Sequence, residues 1–557
     1  MEKIWIKHYQ AGVPAEIDPH CYQSVNEVLE EACRKYAAKP AFTNLNHTMT
    51  YHALEEKTKA FAAYLLGKLK LNHGDRVALM MPNILQYPVA MFGILRAGLV
   101  AVNVNPFYTA RELEDQLRDS GCKAIVVLAN FTETLQGVLP KTFIESVIVT
   151  EVGDLLPFPR SFLINWVLKF VKKMVPTWSI KPYIPFKEVL KTGAVLIFRK
   201  PVVSGSDVAF LQYTGGTTGL AKGAVLTHQN MVANIEQAYA WIKPVVGSNE
   251  IIITALPLYH IFSLLANCLT FLRVGALNVL ITNPRDIPGF IRVLKRYPFT
   301  AITGVNTLFK ALLNHPKFAK LNFSALRIAL GGGMAVQPVV ATRWKAITKV
   351  PLLEAYGLTE TSPAVCINPL NLQDFNGSIG LPISSTDISI RSDKGQEMGL
   401  NETGELWVRG PQVMQGYWQK PEETALVLQD GWVCTGDIAT IDQNGFVRIV
   451  DRKKDMILVS GFKVYPNEVE EVISRMKGVF EVAVIGVPSA EGERVKAYII
   501  KKDPRLTQEE ILEHCHRELT HYKVPKEIEF RKELPKSNVG KILRRALRDE
   551  TRGAAAL

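Results

Sequence analysis

The sequence predicts an α/β protein: a large N-terminal domain of α/β subdomains plus a β-rich subdomain, with a small α+β C-terminal domain. Three observations lead there. A chain of 557 residues is longer than one compact core usually organises, so it divides into a large body and something smaller. From residue 77 onward, short apolar runs alternate with helical patterns, the order that builds parallel sheet. After Asp387 the rhythm shortens to strands separated by turn residues, and a charge cluster from Asp451 to Asp455 closes it.

Taken in order, residues 77–81 read as a strand, 87–95 as a helix and 101–104 as a strand; a charged helix begins at Arg111, and 124–128 is again a strand. Apolar runs at 251–256, 278–281, 300–303 and 326–330 repeat the pattern. Residues 404–409 and 446–450 are the shorter strands of the β-rich part. The charge cluster marks the domain boundary, giving residues 1–450 and 451–557 with a hinge near 451–455. The second piece has its own helices at 468–475 and 508–519 and strands at 482–487 and 497–500, enough for a small core.

Composition narrows the function classes. Hydrophobic residues at 47% beside 21% charged residues are the balance of a globular protein that folds in water. Met1 to His20 are polar and charged throughout, without the apolar stretch of an export signal, so a cytoplasmic protein is expected. Seven cysteines, scattered and without a CxxC pair, are expected to be reduced core residues. A formal charge of +12 favours anionic partners: nucleic acid, acidic lipid or phosphorylated small molecules. No nucleic-acid-binding module and no continuous basic tract is found, which disfavours the first. Residues 161–175 interleave Phe162, Leu163, Trp166 and Phe170 with Lys169, Lys172 and Lys173. Too short and too charged to span a bilayer, this segment suits either a helix lying on an anionic membrane surface or a packed helix.

The strongest local signal is Tyr213-Thr214-Gly215-Gly216-Thr217-Thr218-Gly219-Leu220-Ala221-Lys222-Gly223, after the apolar run 208–211. Its amides and hydroxyls can surround phosphate oxygens without side-chain obstruction, and Lys222 adds charge. It lacks the GxxxxGK[ST] string of a Walker loop. Composition alone leaves a purely structural turn open.

This loop resembles the signature of the adenylate-forming enzymes, the superfamily of acyl-CoA ligases, luciferases and peptide-synthetase adenylation domains. Further motifs follow in the same order: Tyr356-Gly357-Leu358-Thr359-Glu360, Thr435-Gly436-Asp437, Asp451-Arg452 with Lys454, and Pro535-Lys536-Ser537-Asn538-Val539-Gly540-Lys541. The resemblance implies ATP, a carboxylic acid and coenzyme A as substrates and Mg2+ as cofactor. It implies that Glu360 and Thr214 contact the metal, that Tyr356 lies against adenine beside Gly357 and Thr359, and that Asp437 and Arg452 meet the ribose. Gly331, Gly332 and Gly333 would wall the nucleotide and acyl pocket, and Lys541 would bridge the carboxylate and the α-phosphate. Rotation of the C-terminal domain about the hinge would then expose a coenzyme A channel beside Gly461. Some relatives carry a lysine where Leu458 stands, so no second-step lysine is carried over.

In the run 256–262, His260 is expected to contact the carboxylate region or gate entry, with a packed core histidine as the alternative. The apolar runs 262–265 and 305–309 favour a hydrophobic tail. The stretch from Gly431-Trp432 through Asp437 to Glu468 resembles the signature region of fatty acyl-CoA ligases, and across the chain the likeness is to bacterial long-chain ligases of fatty-acid degradation. That likeness implies work at the inner face of the cytoplasmic membrane. Medium-chain or aryl ligases, transfer of the adenylate to a carrier protein, and a homodimer all stay open. A non-catalytic lipid-binding protein is disfavoured, since binding needs no such set of Thr214, Glu360, Asp437, Arg452 and Lys541.

Overall fold

The computed structural model describes residues 2–214, 221–459, 462–489, 492–537 and 540–555. Within them the large domain holds two mainly parallel sheets. In the first, the strand Arg76–Met80 pairs in parallel with both Val100–Asn103 and Ala124–Leu128, with the helix Gln86–Arg96 as crossover. Every residue of that helix is buried, which is why its pattern is apolar all round rather than one-sided. The sheet ends at the antiparallel pair Val208–Thr214 and Lys222–Thr227.

The second sheet contains Ile251–Thr254, Leu277–Leu280, Ala301–Gly304, Ile328–Gly331 and Leu353–Gly357 as parallel neighbours. At its far side the strand Pro40–Asn44 pairs in parallel with Leu277–Leu280, and the strand His47–Thr50, antiparallel to it, forms the edge. The strand pattern expected from residue 77 onward omitted this hairpin, and its place in the sheet is set by Leu277–Leu280, more than two hundred residues away, a pairing that leaves no local trace. The β-rich part is an antiparallel sheet of Asp387–Arg391, Gly404–Arg409, Trp432–Ile441 and Val447–Arg452, with the short strand Leu428–Gln429 at one edge.

The strand Val447–Arg452 runs two residues past the expected boundary at 450 before the single turn Lys453–Asp455. Beyond it the small domain packs the helices Pro466–Ser474 and Gln508–Glu518 against a sheet dominated by the hairpin Val479–Ser489 and Gly492–Lys501. The C-terminal helix Arg544–Ala555 lies on that hairpin.

The cysteine expectation needs correction. Five are buried, but Cys434 is half-buried and Cys21 is exposed, in the bends that lead into the helix Val25–Lys35. Among the described residues no helix is long and apolar enough to cross a membrane.

Candidate active site

The site gathers where the second sheet, the β-rich sheet and the small domain meet. Asp437 and Arg452 are direct cross-strand partners in the antiparallel pair of Trp432–Ile441 and Val447–Arg452. That register brings Arg452 Nε to 3.1 Å from Asp437 Oδ1, as facing side chains on one sheet surface must do. Tyr356, at the end of the strand Leu353–Gly357, reaches over from the other sheet and donates its hydroxyl to Asp437 Oδ2 at 2.6 Å. Burial and the carboxylate beside it hold that phenol well above its ordinary pKa, so it remains a donor. Thr435, Gly436, Asp437, Arg452, Lys453 and Lys454 line a cleft of about 310 Å3.

Glu360 sits in the turn Thr359–Thr361, between Leu353–Gly357 and its antiparallel return Ala364–Ile367. The turn closes so tightly that a Cβ on Gly357 would stand 1.9 Å from the carbonyl oxygen of Pro363; only glycine fits there. Glu360 Oε1 accepts the Tyr417 hydroxyl at 2.6 Å. Thr214 ends the strand opposite Lys222, whose carbonyl accepts the Thr214 hydroxyl at 3.5 Å. Lys222 Nζ is 2.5 Å from Glu423 Oε2. The Tyr213 side chain points the other way, into the core, and donates to Asp119 Oδ2 at 2.7 Å. Its phenol is therefore committed away from Thr214. Gly215, Gly216, Thr217, Thr218, Gly219 and Gly461 lie outside the described residues.

Gly331 ends its strand beneath Val336, and Gly332 donates its N–H to Gly304 O at 3.1 Å. A Cβ on Gly332 would stand 2.9 Å from the Phe262 ring, whereas Gly333 has an open neighbourhood near Val305. His260 Nδ1 accepts from the Phe262 amide at 3.3 Å. Burial and the positive charge of Lys541 lower its pKa to about 4, so the imidazole is neutral with its proton on Nε2, a donor.

Lys541 follows a turn in which Ser537 accepts and donates around it: Lys541 N to Ser537 Oγ at 3.1 Å and Ser537 N to Lys541 O at 2.7 Å. Gly540 holds φ at +83°, and its missing Cβ makes room for Thr307 of the large domain. Burial, with Arg452, Lys454 and Arg544 nearby, lowers the Lys541 pKa to about 8, and Asp437 partly offsets this. The small domain thus brings an ammonium group to the cleft beside Asp437 and to the side of His260.

A sequence profile of the AMP-binding enzyme matches residues 29–418, and one of the AMP-binding enzyme C-terminal domain matches residues 468–541. The chain belongs to the AMP-binding enzyme family. It is 58% identical to a long-chain-fatty-acid–CoA ligase of Yersinia pestis, over 99% of this chain and 98% of that one. It is 56% identical to a long-chain-fatty-acid–CoA ligase of Escherichia coli O157:H7, over 99% of both. Among solved structures, the anthranilate CoA ligase AuaEII in complex with anthranoyl-AMP superposes with a TM-score of 0.85 at 25% identity, covering 97% of this chain and 100% of that chain.

As an AMP-binding enzyme the chain has its motif residues drawn from three sheets and the turn before the last helix. Sequence reasoning missed the residues that hold them. Tyr417, Glu423, Glu354 and Arg544 carry no motif signal.

Proposed function

We propose that the protein joins long-chain fatty acids to coenzyme A in two half-reactions. The fatty carboxylate attacks the α-phosphorus of ATP with loss of pyrophosphate, and the coenzyme A thiol then attacks the acyl-adenylate with loss of AMP. The observation that carries the first step is Lys541, set in a cationic group with Arg452, Lys454 and Arg544 and close to His260. Two anions must meet for adenylation, and an oriented ammonium at their junction stabilises the charge that grows in the transition state. Asp437, fixed by Arg452 and Tyr356, accepts the ribose hydroxyls, and neutral His260 donates Nε2–H to the carboxylate.

Glu360 and Thr214 offer a carboxylate and a hydroxyl, hard oxygen donors suited to Mg2+, which usually takes one or two protein ligands and keeps water and substrate phosphate oxygens for the rest. When bound there, the metal offsets triphosphate charge. Domain rotation at residues 451–455 withdraws Lys541 before thiolation. Full-length identity to curated long-chain ligases and the apolar surroundings of Phe262, Val305 and Phe309 support a long acyl tail.

The test is AMP and pyrophosphate release with acids from hexanoate to stearate, and benzoate as control. kcat/KM should rise by up to about fourfold per added methylene until the pocket is filled, from about 0.8 kcal/mol per buried methylene. A maximum at benzoate or hexanoate refutes the long-chain reading.

The enzyme also docks peripherally on an anionic bilayer. The helix Arg160–Trp166 and the wider turn Val167–Val171 are tied to the body by Asn165, which accepts from Gly153 N at 2.7 Å and donates to Glu151 at 2.9 Å. Phe162 and Phe170 on this stretch, and Phe158 just before it, are exposed by 61, 58 and 84%, beside Lys169, Lys172 and Lys173. An apolar face bordered by lysines fits lipid interfaces with acidic headgroups. Replacing Phe162, Trp166 and Phe170 by serine should release the protein from phosphatidylglycerol vesicles and leave its activity on soluble acids intact. Undiminished vesicle binding would remove this surface from consideration.

A further inference from the structure

The segment 414–418 is stitched along the strand Lys222–Thr227. Gln415 N donates to Val225 O at 3.1 Å, Val225 N to Gly416 O at 2.9 Å and Trp418 N to Gly223 O at 2.8 Å, while Ala224 and Tyr417 face each other as an antiparallel bridge. The same segment is bound to the Glu360 turn, since Met414 N donates to Glu360 O at 2.9 Å. Tyr417 is where the two connections converge. Its hydroxyl donates to Glu360 Oε1 at 2.6 Å, and its ring centre lies 5.2 Å from Lys222 Nζ. Thr424, on the helix Pro421–Val427 that also carries Glu423, accepts the Tyr417 amide at 2.9 Å and fixes the backbone from the far side.

We propose that Tyr417 is the positioning residue of the phosphate site: its hydroxyl fixes one oxygen of Glu360 so that the other is presented to the divalent cation accompanying ATP, and its ring holds Lys222 beside the arriving phosphates. A glutamate free to rotate is presented correctly only part of the time, and a hydrogen bond from a rigid phenol removes that freedom. Lys222 is already paired with Glu423 at 2.5 Å; the ring face attracts its ammonium from another side without adding a second negative charge. One side chain therefore serves the two halves of the site separately, the cation through oxygen and the phosphates through the ring. The proposal rests on Glu360 being a ligand of the cation.

Three variants separate these roles: Tyr417→Phe keeps the ring and removes the hydroxyl, Tyr417→Leu removes both, and Glu360→Gln tests the ligand itself. ATP binding is measured by calorimetry without fatty acid or coenzyme A, once with Mg2+ and once with EDTA, and folding is followed by circular dichroism. Tyr417→Phe should weaken binding about tenfold in Mg2+, the worth of one hydrogen bond to a charged group, and leave binding in EDTA unchanged. Tyr417→Leu should weaken it in both. If Glu360→Gln loses Mg2+-dependent affinity and Tyr417→Phe does not, the positioning role fails while the ligand stands. If neither variant loses it, the ligand assignment fails and the proposal with it. Equal loss for Tyr417→Phe in EDTA and in Mg2+ would show a role in folding the turn alone and also overturn the proposal.

Discussion

Lys541 is asked to stay charged in a place that penalises charge. Burial, then the neighbouring Arg452, Lys454 and Arg544, bring its pKa down to about 8 from the 10.5 of an ordinary lysine. In the proposed role the ammonium is the working form, so kcat/KM for adenylation, which reports the free enzyme, should be level below about pH 8 and fall as pH rises through it. Arginine keeps its proton far above this range, so Lys541→Arg should be slower but lose the alkaline fall. Lys541→Ala should cut adenylation by roughly a hundred- to a thousandfold, as loss of a transition-state donor does, and leave thiolation of supplied acyl-adenylate nearly intact. Equal loss in both half-reactions, followed by pyrophosphate exchange and by acyl-CoA formation, would contradict the assignment. Lys541, Glu360, Asp437 and Arg452 were legible because each stands in a recognisable string. Tyr417 and Glu423 were not, because they act from an ordinary-looking segment brought beside Lys222 by pairing some two hundred residues distant.

At the level of elements, the strand Ile328–Gly331 and its neighbour Leu353–Gly357 meet over a buried acid. Glu354 Oε1 accepts from Val336 N at 2.7 Å, fixing the loop that covers Gly331, and burial raises its pKa from 4.5 to about 8. The folded protein therefore holds a proton that the unfolded chain releases between those values. Stability from this group is highest below about pH 4.5 and falls as pH rises toward 8, by up to about 1.4 kcal/mol per unit. Glu354→Gln keeps an acceptor for Val336 and removes the titration. Urea unfolding of both proteins from about pH 5 to about pH 8.5 should show the variant gaining on the parent as pH rises; parallel curves would mean that Glu354 ionises freely. The strand at 124–128 and the strand at 404–409 were read from the sequence with the bounds they have in the structure, because apolar runs of strand length flanked by turn residues have few alternatives. The place of the strand Pro40–Asn44 in the sheet was hidden because its parallel partner is distant in the chain, and the Glu354 contact because it is made only when two neighbouring strands pair.

At the scale of the whole molecule, the question is what holds the small domain where Lys541 can reach the cleft. Arg544 answers it: its guanidinium spans Asp451 and Asp455, each at 3.4 Å, Glu470 at 2.8 Å and Asn467 at 2.5 Å. Asp451 closes the large domain's last sheet and is fully buried, whereas Glu470 and Asn467 belong to the small domain's helix Pro466–Ser474. Arg544 also begins the helix that follows the Lys541 turn, so the same contact sets where that lysine stands. Removing the cation leaves the fully buried Asp451 without a counter-charge, while Asp455 keeps Arg548 at 2.8 Å; breaking a buried pair in this way costs about 3–5 kcal/mol. Arg544→Met should therefore undock the small domain: tryptic cleavage at Lys453 and Lys454 accelerates and adenylation falls steeply, whereas thiolation of supplied acyl-adenylate, which in the proposed rotation uses another arrangement, falls little. Burial lifts Asp451 to about 6 even with Arg544 present. Arg544 is the charge that holds it down, so in the variant Asp451 takes up its proton above that value, and the adenylation defect should shrink as pH falls through the range around and below 6. Unchanged proteolysis, or a defect that deepens in acid, would mean that the domain is held by other contacts, such as Lys463 with Asp393 at 3.0 Å, and that Arg544 only stabilises its own helix.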